Sequence, residues 1–534
     1  MRKRLAGNAR AGKILAVLLL LTMMCPAAGA DSAEPGLLRT AVLYDISTMD
    51  VARTTDNYMV PMNVFDRLLE TRPDGAASKV VESLATAYTV SGDGLTYDFA
   101  LREGVVFSNG SALTASDVQF SFERLLKMHD QNTDIPLEVR GGQDVMDGKA
   151  EHLEGFQVKD DIHFSITLSA ANAGFPAELT APAMSIVDAE TMTEGFGKVP
   201  AETIGTGPYL VTEWVANDHY TLVYNEKYWG EEPSVKKVIV QVEPAAATQS
   251  YRFKSGELDL IDLQNLDSMV VASEYRTLPE GRVVSQPRVG LTFMMMNEKN
   301  AFLKDVKVRR AIMMAIDVDQ VIAGIYGGNA VRENGIIPRG IWGHNDQLEA
   351  VKYDPEGAKT LLKEAGYAEG QIVFELAEDS SATDSVKLVC DFVSQQLKAV
   401  GINVRIKSYD HAAWLARRGA GEMDAFIARW GMDYNDPANI MYTFFGSVEN
   451  TVNRSLNYPD TAVIDRVAAA RAIVDDAARE KEYQALEKKL IQEDAVWVPM
   501  FAELHLYAIG DRVASFTPQW AGYTDFFAAD VVLK

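Results

Sequence analysis

Residues 81–126 read VESLATAYTVSGDGLTYDFALREGVVFSNGSALTASDVQFSFERLL, and the physical pattern is a short helix, two strands and a second helix. Ser91-Gly92-Asp93-Gly94 is a hairpin-type turn whose glycines accept positive φ. Residues 95–101 alternate large apolar with small or polar side chains, as a strand with one buried face does. Arg102-Glu103-Gly104 turns the chain into Val105-Val106-Phe107, and Asn109-Gly110 turns it again. Thr114 is placed to N-cap a helix in which Asp117, three positions on, completes a short capping box. Val118, Phe122, Leu125 and Leu126 give that helix its buried stripe. The segment holds no His, no Cys and no clustered carboxylates, so it is architecture rather than chemistry.

Outward from this segment, the first thirty residues read as a targeting leader. Arg2, Lys3, Arg4, Arg10 and Lys13 precede an apolar run, 14–24, too short to span a bilayer stably. Ala28-Gly29-Ala30 offers the small residues a signal peptidase needs, so the mature chain is expected to begin at Asp31. Cys25 raises a lipoprotein alternative, which Met24, Thr22 and Pro26 disfavour. With the leader removed only Cys390 remains, so no internal disulfide is expected and stability must come from core size. The remaining chain is too long for one core. Its formal charge of −24 falls by five more without the leader. That balance disfavours nucleic acid and anionic membrane as partners; it would draw cationic or zwitterionic ligands, but solubility is the plainer and preferred explanation.

Strand-like and helical stretches interleave throughout, which is mixed α/β. Gly205-Thr206-Gly207-Pro208-Tyr209 introduces a hairpin, 210–214 and 219–224. No helix start or Lys follows these glycines, so they are not a phosphate cradle. Residues 238–242 form a strand. Ser255-Gly256-Glu257-Leu258-Asp259 ends a helix at Gly256 and starts another strand. One helix is expected over 306–322, one opening at Pro355 and closing at Gly366, and one over 384–400. The last is followed at Gly401 by a strand, 402–406. Two more helices, 462–474 and 477–492, precede a final strand over 496–509.

The 81–126 string, the G-T-G-P-Y turn, the S-G-E-L-D step and V-K-V-R-R-A-I-M-M-A-I-D (306–317), in this order, resemble the family-5 extracellular solute-binding proteins of ABC importers. That group includes dipeptide-, oligopeptide- and nickel-binding proteins. The resemblance spans nearly all of the mature chain and implies a bilobal periplasmic-binding-protein fold of the class II type with an extra subdomain. Lobe I would be 31–287 with 500–534, including an inserted subdomain at about 75–195; lobe II would be 288–499. Two strands would join the lobes as a hinge. The implied protein is a monomeric, non-enzymatic, periplasmic receptor that captures a small peptide or amine-bearing solute and presents it to membrane permease subunits, with no cofactor.

Ligand chemistry points to Arg429-Trp430-Gly431-Met432-Asp433-Tyr434-Asn435-Asp436-Pro437, a loop after a strand (424–428) and before a helix. It is similar to the G-W-x-x-D-Y-N-D/E-P loop of peptide-binding members, where the aspartate matching Asp433 accepts the ligand's α-ammonium. A buried ammonium needs such an ionised partner to offset its desolvation. The plain alternative is that Asp433 satisfies turn amides, a role expected of Asp436. Trp430 would wall the ligand, and Arg429 stands where the family motif often has glycine. Tyr409-Asp410-His411 resembles a Y-E-W step, with His411 where a cleft tryptophan is common. Tyr44 and Asp45 lie on a first strand that runs to the cleft edge in the family. No Arg or Lys occurs in 377–385, where dipeptide binders hold the ligand carboxylate; Arg332 and Arg339 are guessed substitutes.

Two other readings compete. A nickel–chelate receptor of the same family has only His411 in its favour. The seven histidines (129, 152, 163, 219, 344, 411, 505) show no metal-ligand spacing. A secreted hydrolase using a carboxylate pair is motivated by acidic residues alone; no G-x-S-x-G elbow is present.

Overall fold

Thirteen consecutive residues, Trp497–Ile509, form one strand that hydrogen-bonds to four others. These are Leu260–Asp262, Val283–Pro287, Gly290–Met296 and Ala330–Arg332, all antiparallel to it. The strand is assigned in a computed structural model that describes residues 34–54, 57–74, 77–129, 132–264, 266–518 and 526–534. The leader, its cleavage site and Cys25 lie outside the described residues. Among those residues, no helix is long and apolar enough to cross a membrane.

Apolar side chains gather in separate cores along the chain. The largest, with Phe293, Ile312, Val393, Leu486 and Trp497, draws on residues 289–501. A second, with Phe99, Phe107, Phe122 and Phe164, lies within 52–186. A third joins Leu38, Tyr209, Tyr220 and Val238 to Ile509 and Val531 from the end of the chain. A small fourth brings Leu258 and Ile261 against Leu506 and Ala508. The chain passes between the largest core and the third and fourth cores twice, at 287–290 and at 501–504. These passages are neighbours: Pro287 faces Leu504, Thr292 faces Phe501, and the Arg288 N–H donates to the Glu503 carbonyl at 2.7 Å.

The opening segment departs from its sequence reading in two places. Residues expected as a short helix form the strand Ala85–Val90, paired antiparallel with Thr96–Leu101. Tyr88, Thr89 and Val90 suit a strand, and a ready partner across the Ser91–Gly94 turn overrides weak local helix preference. Val105-Val106-Phe107 is reduced to a single bridge between Val106 and Ala112, because the chain turns back at Gly110. The second helix, Ala115–Met128, stands as expected: the Thr114 N–H donates to Asp117 Oδ2 at 2.9 Å.

The helix expected over 306–322 is two, Val306–Ala315 and Val318–Gly324. Ile316 is extended, and Asp317 caps the second piece by accepting from the Gln320 N–H. The Asp317 N–H itself goes to the Gln396 side chain at 2.8 Å, so the break is fixed by tertiary contact. The helix Pro355–Glu364 opens behind Asp354, which accepts from the Gly357 N–H. Helix Asp384–Ala399 buries Val386, Val389, Cys390, Val393 and Leu397.

The glycines of the G-T-G-P-Y turn have a steric reason. A methyl on Gly205 would overlap the Val64 carbonyl oxygen, and one on Gly207 would sit 2.6 Å from the Val64 carbonyl carbon. The Gly207 N–H needs that approach, donating to Val64 O at 2.9 Å. Between the glycines, Thr206 donates to the buried Asp66 at 2.9 Å, as the Trp229 indole does at 2.8 Å. The Ser108 N–H reaches Gly205 O at 2.9 Å, tying the turn to the opening segment. Gly205→Ala should therefore cost about 1–3 kcal/mol in urea denaturation. Gly419→Ala, where a methyl meets open space, should change stability by less than about 1 kcal/mol.

Candidate functional site

The strand Ala425–Gly431 is central in the large sheet, antiparallel to Gly290–Met296 and parallel to Ile372–Asp379. It runs further than its sequence suggests, because Arg429 and Trp430 pair with Thr292 and Leu291. The two side chains therefore leave a strand, not a loop, and on opposite faces. Arg429 pairs with Glu503 at 2.8 Å. Trp430 packs edge-on to Phe444, with ring centroids 5.2 Å apart.

Beyond Gly431 the backbone is held at several points. The Met432 N–H donates to Val289 O at 2.9 Å. Asp436 accepts from the Ala438 N–H at 2.9 Å, starting the helix Ala438–Phe445, and pairs with Arg479 at 2.7 Å. Both partners are buried, and the Arg479 guanidinium lies over the Trp342 ring at 4.4 Å. Asn435 accepts from the Trp342 N–H at 3.0 Å and donates to Ser78 O at 2.7 Å.

This loop presents Asp433 to a cavity of about 940 Å³. Trp430, Tyr434, Asn439 and Arg454 line it too, as do Asp134, Glu138 and Glu178. Asn439 links the two motif residues: its Oδ1 accepts from the Trp430 indole at 2.8 Å, and its Nδ2 donates to Asp433 Oδ2 at 3.1 Å. The Asp433 side chain remains exposed, yet the protein around it pushes its carboxyl above the usual range. Desolvation is the largest cause, the Asn439 bond opposes it, and Asp134 adds to it. Also lining the cavity, Arg471 reaches Glu138 at 2.5 Å and Glu178 at 3.3 Å. Burial, helped by Glu138, raises Glu178 to about 7.

Of the six residues singled out in the sequence, the structure brings Asp433 and Trp430 together at this cavity. Arg429 lies behind Trp430, on Glu503. His411 pairs with Asp379 at 2.6 Å and lines neither cavity; Asp379 borders a smaller one of about 270 Å³ that shares Trp430 and Arg454 with the larger. Asp45 accepts from the Trp214 indole at 3.2 Å and the Asn217 N–H at 2.8 Å, which is turn chemistry. Tyr44 is exposed and is among the lining residues of neither cavity. Arg339 pairs with Glu333 at 3.0 Å and Arg332 with Asp319 at 3.3 Å; neither lines the large cavity. Among the described residues, no three His, Cys, Asp or Glu side chains are grouped to hold a metal ion.

Sequence reasoning missed Asn439, although an amide in the first turn of an otherwise apolar helix was a visible signal. It also missed Arg454 and Arg471, which no local pattern marks.

The model of the bacterial extracellular solute-binding proteins, family 5 Middle, matches residues 79–451. The chain belongs to the family-5 solute-binding proteins. Heme-binding protein A of Haemophilus influenzae is 27% identical over 95% of this chain and 91% of its own length. The probable D,D-dipeptide-binding periplasmic protein DdpA of Escherichia coli is likewise 27% identical, over 93% and 95%. The structure of DppA from Helicobacter pylori in complex with the peptide STSA superposes with a TM-score of 0.69 at 27% identity, covering 93% of this chain and 98% of that one. The bilobal periplasmic-binding-protein fold thus holds for this chain.

Arg479 anchors the loop that follows Gly431 through its pair with Asp436. Arg479→Ala should destabilise the protein by about 3–5 kcal/mol, because Asp436 is left buried and unpaired. Adding Asp436→Asn should return part of that loss. Urea denaturation of the two variants measures both.

Proposed function

We propose that this protein is a non-enzymatic periplasmic receptor of an ABC importer, and that its solute is a short peptide or related amine-bearing zwitterion. The observation that carries the reading is Asp433. It is a carboxylate held by Asn439, raised by desolvation, and open to a large cavity in a wall that also bears Trp430. A carboxylate so placed gains most from a cationic partner, which offsets its desolvation and restores its ionised form. Relatives whose names specify peptides, and one solved with a peptide bound, support the same reading.

The lobes divide at 287/288 and 499/500, and closure is a hinge motion about the paired passages at 287–290 and 501–504. Separate apolar cores on the two sides of these passages support that division. The protein acts as a monomer and hands its solute to membrane permease subunits. The nickel–chelate alternative has no specific support, because His411 is engaged by Asp379 outside the large cavity.

Calorimetric titration with di- to pentapeptides, and with haemin as a competing probe, tests the reading. Asp433→Ala should weaken peptide binding by about 2 kcal/mol or more. N-acetylation of the peptide should cost wild type a similar amount and the variant almost nothing further. Equal losses on acetylation in both proteins would remove Asp433 from the site. Because the Asp433 carboxyl is raised, affinity should be present above its pKa. It should be lost on acidification, starting at higher pH than an ordinary aspartate requires. Asp433→Ala should flatten that profile. Haemin binding without peptide binding would replace the ligand class.

A further inference from the structure

The segment 288–499 touches the stretch 75–195 directly, through contacts that involve neither hinge passage. The Ala173 N–H donates to Arg471 O at 2.7 Å, and the Ser78 N–H to Gly340 O at 3.1 Å. The Asn435 amide donates to Ser78 O at 2.7 Å. Gly94 lies against Val474, where an added methyl would sit 3.1 Å from Val474 Cγ2. Every partner in these bonds belongs to the chain itself, so the contact is complete without a solute.

One buried cluster of charge belongs to this contact. Arg471 comes from the first segment, and its two partners, Glu138 and Glu178, come from the second. The Asn172 amide nitrogen donates to both carboxylates at 2.8 Å, and the Tyr97 hydroxyl holds the Asn172 carbonyl at 2.7 Å. The Arg471 guanidinium lies over the Tyr442 ring at 4.4 Å. One arginine thus serves two carboxylates, and the cluster carries a surplus negative charge when both are ionised. Nothing else near Glu178 offsets that surplus. Asp436 also faces Glu178 but is paired with Arg479, and burial keeps the Tyr97, Tyr434 and Tyr483 hydroxyls protonated. The second Glu178 oxygen is buried with no hydrogen-bond partner, a place that suits a neutral acid better than a carboxylate. Desolvation first, and Glu138 second, raise Glu178 to about 7, against Arg471 and Asn172.

We infer that Arg471, Glu138 and Glu178 form a proton-dependent latch: with one proton on its two carboxylates the cluster holds the inserted subdomain of lobe I to lobe II, and loss of that proton favours their separation. The inference rests on the proposed division into lobes, but not on the identity of the solute. Separation exposes Glu178 to water and returns it to the ordinary glutamate range, so joining the lobes takes up a proton. The contribution of Glu178 to the joined form is therefore fully present below that ordinary range and is lost as pH rises through about 7. Asp433 works in the opposite sense, since acid discharges it and weakens its hold on a cation. Acid thus favours a shut receptor without solute, and rising pH favours one that is open and charged for loading.

Small-angle X-ray scattering at pH 6 and pH 9, on protein stripped of solute by reversible denaturation, tests the latch. The wild-type radius of gyration should rise by about 1 Å or more between the two, from roughly 23 Å for a compact chain of this length. Glu178→Gln keeps the shape of the side chain and removes its charge, and should stay compact at both pH values. Val474→Asp places a charge in the contact at Gly94, in a residue that lines neither cavity, and should show the larger radius at both. A wild-type radius independent of pH overturns the latch, as does a Glu178→Gln protein that expands as wild type does. So does a Val474→Asp protein as compact as wild type at pH 6. Each of these outcomes leaves the receptor reading standing, because no solute enters the measurement. A pH-dependent radius in a protein that binds no peptide overturns the peptide reading and leaves the latch standing.

Discussion

The strand Trp497–Ile509 serves two cores at once, and its two ends are subject to different demands. Its first residues face the largest core, where Trp497 packs against Phe293, Phe444 and Phe445. Its last residues pair with Leu260–Asp262 and Val283–Pro287 and seal the third and fourth cores. A continuous strand is a direct way to join such bodies, since each N–H and C=O at the crossing needs a partner. The neighbouring passage at 287–290 supplies one, the Arg288 N–H to the Glu503 carbonyl, and Asn329 O accepts from the Leu504 N–H. The same pairing fixes Gly290–Met296 and, through it, Ala425–Gly431, whose last residues carry Trp430 towards the cavity. The site's position follows from the crossing.

What was legible in the sequence were features whose cause is local. The Thr114 cap, the Asp354-Pro355 helix start and the Asp436 cap depend on neighbours within a few residues. Asp433 and Trp430 were legible because one short stretch, 429–437, carries both, and the resemblance to a family motif singled that stretch out. Tertiary partners decided the rest. Residues 85–90 have no strong strand signal until residues 96–101 pair with them. The break at Ile316 depends on Gln396, eighty positions away in another helix. The glycines at 205 and 207 were visible as a motif, but their reason is the carbonyl of Val64. Arg454 and Arg471 lie on separate segments, and only folding brings them to the same cavity as Asp433.

The arginines of this chain sort by what neutralises them, and the sorting bears on closure. Arg309 and Arg479 have buried partners and would keep them whatever the solute does. Arg471 joins Glu138 and Glu178 at the cavity, and the two carboxylates neutralise it. Arg418 and Arg454 lie over aromatic rings and Asp433 is held by Asn439, none with an ion-pair partner among the described residues. In an open cavity water supports them at modest cost. Were the walls to close on an empty cavity, that water would leave and each charge would be desolvated without compensation, which is strongly unfavourable. On the proposed function, an amine-bearing solute would change the sign at Asp433: its ammonium would compensate the carboxylate, and the low dielectric of a closed state would strengthen the contact. Closure would then depend on the ligand through a residue that recognises it. That is the differential affinity for two states that any ligand-driven shift of conformation requires.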